Sequence, residues 1–157
     1  MKWITKNQLV ATLRALAESH LQVKGFGYGP EGGQATGLSL QSGENTGLPH
    51  PQKLPFMWVS PVITKISDGS LLYEFEITVG DLPGDNPVNK LEVESDTLLI
   101  CLDIVSKLSD ESYPWSLVKQ SAIQPFFSQG SSNYTGHRMN ISLEFPFNYD
   151  YYMAPTE

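Results

Sequence analysis

Gly27 to Gly32 reads GYGPEG, a G-x-G-x-x-G spacing. In a dinucleotide-binding unit that spacing brings backbone close to a pyrophosphate. A helix opening there supplies the amide donors and the dipole. The chemistry needs a strand before the glycines and a helix after them. Here Pro30 sits inside the pattern, and GQATGLSLQSGENTG follows it without helical period. The glycines therefore read as a turn into a loop.

Other reactive side chains are sparse. Cys101, the single cysteine, falls on the apolar stripe of a predicted helix and reads as a small buried hydrophobe. The three histidines, His20, His50 and His137, match no metal-ligand spacing. His20 closes a helix, where a cation suits the dipole. Glu74 and Glu76 share one face of a strand and read as solvated carboxylates, although such a pair has the composition of a hydrolytic dyad. No nucleophile–base pair, metal site or cofactor site is expected.

The acids cluster. Asp81, Asp85, Glu92, Glu94, Asp96, Asp103, Asp110 and Glu111 stand against Lys90 and Lys107, eight acids to two bases, or −6 of the chain's −7. Glu92, Asp96 and Asp103 fall on one helix face. Dipole and i,i+4 pairing, as between Asp103 and Lys107, explain such acids singly. A surface that repels DNA or meets a basic partner explains their concentration.

The elements that position these residues follow from periodicity. Residues 5–21 predict a helix: Thr5 and Gln8 form a capping box, and Leu9, Val10, Leu13, Leu16, Ala17 and Leu21 line one face. A short extended segment, LQVKGFGYG, then breaks into glycine. Residues 25–55 hold eight of the thirteen glycines and four prolines. They predict a long loop or arm, of a kind usually functional or disordered.

Residues 54–66 predict a strand whose Pro61 marks an edge or a bulge. Asp68-Gly69 is a hairpin turn signal. In LLYEFEITV, Tyr73, Phe75, Ile77 and Val79 point one way and Glu74, Glu76 and Thr78 the other. A second helix is expected over 89–108, capped by Asn86 or Asn89, with Leu91, Leu98, Cys101, Leu102, Val105 and Leu108 as its stripe. Residues 116–127, interrupted by Pro125, and 134–145 predict two more strands; Met139, Ile141, Leu143 and Phe145 share a face. An aromatic tail, 146–157, closes the chain.

This order predicts a single α+β domain over 1–157. The sheet should be small and antiparallel, or mixed, with four to five strands and two helices on one face. Length and composition agree: 157 residues, 40% apolar, 17% charged. A net charge of −7 disfavours nucleic-acid phosphates and anionic membranes as partners. With one cysteine, no signal-like start and no long apolar run, a soluble protein made in a cytoplasm is expected.

Four stretches carry a resemblance. They are VKGFGYG after the first helix, PFMWVSP in a strand, ITVGDL closing an alternating strand, and EVESDTLLICLDI in the second helix. Together they resemble the neck and tail-completion proteins of tailed bacteriophages, in particular the tail-terminator group, over roughly residues 9–108. The resemblance implies a non-enzymatic virion protein without cofactor. Such proteins form a homo-oligomeric ring, typically hexameric, on the tail tube. They stop tube polymerisation and dock the tail to head and connector proteins, and DNA passes through unheld. Another neck component is the neighbouring reading, and a small enzyme a more distant one. In a ring, Phe26, Tyr28, Leu38, Leu40 and Leu48 would meet a neighbouring subunit, and Glu92, Asp96 and Asp103 would line an acidic lumen.

Overall fold

The computed structural model describes residues 5–29, 54–67, 69–82, 87–118, 122–127 and 134–147. Leu38, Leu40, Leu48, His50, Asn86 and nearly all of the aromatic tail lie outside them.

Helix α1 spans Lys6–Ser19. Thr5 caps it in the expected way: its hydroxyl accepts from the Gln8 amide, and the Gln8 side chain accepts from the Thr5 amide. Leu9, Leu13, Leu16 and Ala17 are buried, but Leu21, assigned to the same stripe, is 88% exposed. It lies past the C-cap residue His20, where the backbone has turned extended and the helical period no longer directs side chains inward.

Strand β1, Gly25–Tyr28, runs parallel to β2, Phe56–Ser67. Gly25 and Gly27 thus belong to a strand rather than to the long loop. β2 turns through Gly69, at φ +81, into β3, Ser70–Asp81. Only glycine adopts that φ without strain. The register of β2 against β3 shifts between Pro61 and Ile63, so the proline does mark a bulge.

Helix α2, Pro87–Leu108, starts earlier than expected. Proline suits a first helical position because its missing N–H has no helical partner there. Asn89 consequently lies inside the helix and is not its cap. The stretch read as one strand over 116–127 is two, β4 (Ser116–Val118) and β5 (Ile123–Phe127). Strand β6, Thr135–Pro146, pairs with both along the same edge, and with β3 on its other edge.

The sheet order is β1-β2-β3-β6-β4, with β5 also on β6. It has six strands and is mixed, slightly larger than predicted, in an α+β arrangement. Both helices share one core with one sheet face. Leu9 and Leu13 of α1 join Ile100, Ile104 and Leu108 of α2 over Phe75, Ile77, Met139, Ile141 and Leu143. Each such side chain contributes roughly 1.5–3 kcal/mol on burial.

The opposite sheet face is not simply solvated. Phe56, Trp58, Phe126 and Tyr134 form a second cluster there, and Thr78, expected to point to water, is fully buried. Gly80 and Gly136 face each other across β3 and β6 between Phe56 and Phe126. At Gly80 the lack of a Cβ lets the rings of Phe56 and Phe126 lie close to the backbone, and at Gly136 it makes room for the Val79 carbonyl.

Candidate assembly surface

The chemistry-bearing residues do not converge. Cys101 is buried, and desolvation pushes its thiol up to about 12. A thiol that holds its proton so firmly is a poor nucleophile. Among the described residues no group of three or more His, Cys, Asp or Glu could hold a metal ion. No described helix is long and apolar enough to cross a membrane. Glu74 pairs with Lys65 at 3.2 Å.

The two described histidines join helix to helix and helix to sheet. His20 reaches Asp103, 83 positions away, at 3.1 Å. Its Nδ1 accepts from the Gln22 amide, so Nε2 carries the proton and donates to the carboxylate. This differs from the dipole role expected for His20 and from an Asp103–Lys107 pair. His137 sits under the middle of α2, against Thr97. The Thr97 hydroxyl donates to the Val93 carbonyl at 2.7 Å and lies 3.0 Å from His137 Nδ1. The His137 tautomer sets which of the two donates in that contact. Burial lowers the His137 pKa, and the charge of Glu94 works against that.

The surface of α2 holds the largest departure from expectation. The buried side carries Thr97, Ile100, Cys101, Ile104 and Leu108. Leu91, Leu98 and Leu102, predicted for the core stripe, fall within about 40° of one another on the wheel and are 68, 36 and 48% exposed. Leu99 is exposed as well. On the wheel it stands between Leu102 and the acids Glu92, Asp96 and Asp103, all exposed. The outward back of α2 is thus a leucine strip with carboxylates along one margin. The apolar period places Cys101 and Leu108 correctly but turns the stripe toward Leu91, Leu98 and Leu102, because leucines continue round the wheel from one end of the core arc.

A second feature lies at the end of α1. A groove of about 400 Å³ is lined by residues that include Arg14, Glu18, His20, Leu21, Lys24 and Phe26. Phe26 forms part of its apolar wall with the Arg14 guanidinium over its ring at 5.4 Å. The phenyl ring itself is buried in the core, and Tyr28 is half-buried against it. Both side chains therefore anchor β1 within the subunit. Arg14 and Lys24 are exposed, and neither forms an ion pair among the described residues.

No protein-family model matches this chain, and no curated protein is similar to it.

Proposed function

We propose that this chain is a structural subunit of a tailed-phage virion. In this reading it is a tail terminator that assembles as a ring at the head-proximal end of the tail tube. The observation that carries the assembly half of the proposal is the back of α2. Four exposed leucines on one helix form an apolar patch of the kind that marks protein contacts. The described elements leave them exposed.

The terminator half rests on the four resembling stretches. VKGFGYG holds β1, PFMWVSP opens β2, ITVGDL ends β3, and EVESDTLLICLDI makes up most of α2. These elements adjoin one another in the fold, so the resemblance covers one connected part of it. The chain's negative charge suits a ring through which DNA passes without specific binding. Among the described residues, six strands against two helices favour the tail side over a mostly helical head-side adaptor. Copies of itself, the tube and the neck proteins are then its partners, and the virion its location.

The test is to locate the chain in particles by labelled electron microscopy and to measure the mass of the species it forms. A ring at the head–tail junction is the expected result. Absence from particles, or a monomer within them, would overturn the reading.

A further inference from the structure

We propose that the back of α2 is one half of a subunit contact. The other half is the groove at the end of α1 on a second copy of this chain. The inference rests on the ring reading above and names the surfaces that would build the ring.

Each patch sets exposed leucine beside charge, a strip on α2 and Leu21 at the groove, and the net signs are opposite. On α2, Leu98, Leu99 and Leu102 adjoin Glu92 and Asp96. At the groove, the exposed Leu21 and the largely buried Phe26 adjoin Arg14 and Lys24, two cations with no carboxylate partner among the described residues. Glu18 also lines the groove and leaves a smaller positive excess. Asp103 is already engaged by His20 and contributes less.

Sign decides which patches meet. The back of α2 against the same surface of another copy would bring two sets of acids together, and groove against groove would gather cations. Like-charge juxtaposition disfavours both. Only unlike patches remain, α2 of one copy with the α1 groove of the next. A contact between different patches, repeated head to tail, closes into a ring when the rotation allows. In such a ring the leucines favour use of this face as a contact, because a water-filled lumen would leave them exposed.

The experiment is a charge swap read by sedimentation velocity at low ionic strength. One variant carries Arg14→Glu and Lys24→Glu; the other carries Glu92→Lys and Asp96→Lys. All four positions are exposed, so circular dichroism should match the unmodified chain. Each variant alone is expected to lose assembly, shown as at least a tenfold rise in the concentration needed. An equimolar mixture should recover it, because every contact in an alternating ring is again between opposite signs. Leu98→Ser with Leu102→Ser should weaken assembly at every salt concentration.

Two charge variants that assemble like the unmodified chain would overturn this contact and leave the ring reading standing. So would rings in particles from a chain that stays monomeric in solution. Assembly that stops at two copies would overturn the head-to-tail arrangement. A monomer both in solution and in particles would overturn contact and ring alike.

Discussion

His20 donates from Nε2 to Asp103 across 3.1 Å and so fastens the end of α1 to the middle of α2. The histidine is buried while the Asp103 side chain is 60% exposed. Water screening therefore limits the gain to about 0.5–1 kcal/mol. A double-mutant cycle of His20→Ala and Asp103→Ala, followed by urea unfolding, should give a coupling energy in that range. A coupling near zero would show that the two helices are held by apolar packing alone.

His137 gives the fold a pH dependence. Burial lowers its pKa from 6.5, so the folded state resists the proton. Above pH 6.5 the ring is neutral in both states and its contribution is complete. As pH falls through 6.5, the unfolded chain takes up a proton that the folded chain does not, and stability declines until the lowered folded value is reached. Asp81 acts lower and with opposite sign: burial raises its carboxyl from 3.8, with the charge of Asp96 adding and the Leu82 amide opposing. Thermal midpoints between pH 8 and 5 should fall for the unmodified chain and change less for His137→Gln. Parallel curves would sink the assignment.

Thr78 presents a buried hydroxyl on the outer sheet face, paired across the strands with Trp58; neither the hydroxyl nor the indole nitrogen has a hydrogen-bond partner among the described residues. Burying an unpaired hydroxyl costs about 1–3 kcal/mol. Thr78→Val keeps the shape and removes that cost, so it should be neutral or raise stability. A loss above about 1 kcal/mol would mean that the hydroxyl is satisfied.

Gly136 tolerates no side chain. A Cβ there would lie 1.9 Å from the Val79 carbonyl oxygen and 2.8 Å from Gly80 Cα, both backbone atoms. Relief requires the β3–β6 pairing to open. Gly136→Ala should cost about 3 kcal/mol or more, visible as a large drop in urea midpoint. Gly80→Ala meets the rings of Phe56 and Phe126 instead. Those side chains can shift, and the loss should be smaller.

Cys101 should resist alkylation. Its thiol is fully buried under α2 and pushed up to about 12. Iodoacetamide at pH 8 should label it only as fast as the chain unfolds. Labelling of the folded chain at the rate of a free thiol would contradict the packing.

Elements with a single apolar face were legible. α1 reveals its cap through Thr5 and Gln8, and β3 and β6 alternate so cleanly that Phe75, Ile77, Ile141 and Leu143 could be placed in the core. The bulge at Pro61 and the turn at Gly69 followed from backbone chemistry alone. Where a segment carries apolar residues on more than one side, the pattern failed. In α2, leucines continue round the wheel from one end of the core arc, so periodicity finds Cys101 and Leu108 but takes Leu91, Leu98 and Leu102 for core. The exposed leucine strip was hidden for the same reason, since an exposed leucine and a core leucine look alike in sequence.

Local rules thus determined the described helices and strands, the cap of α1 and the turn at Gly69. These depend on neighbours within a few positions, which sequence displays directly. Tertiary structure alone decided which flank of α2 meets the sheet, that β1 lies parallel to β2, and that His20 finds Asp103. It also decided that Thr78 is enclosed by a second cluster. Each of those outcomes depends on side chains brought together from distant parts of the chain, where pairing is chosen by total burial and not by local period.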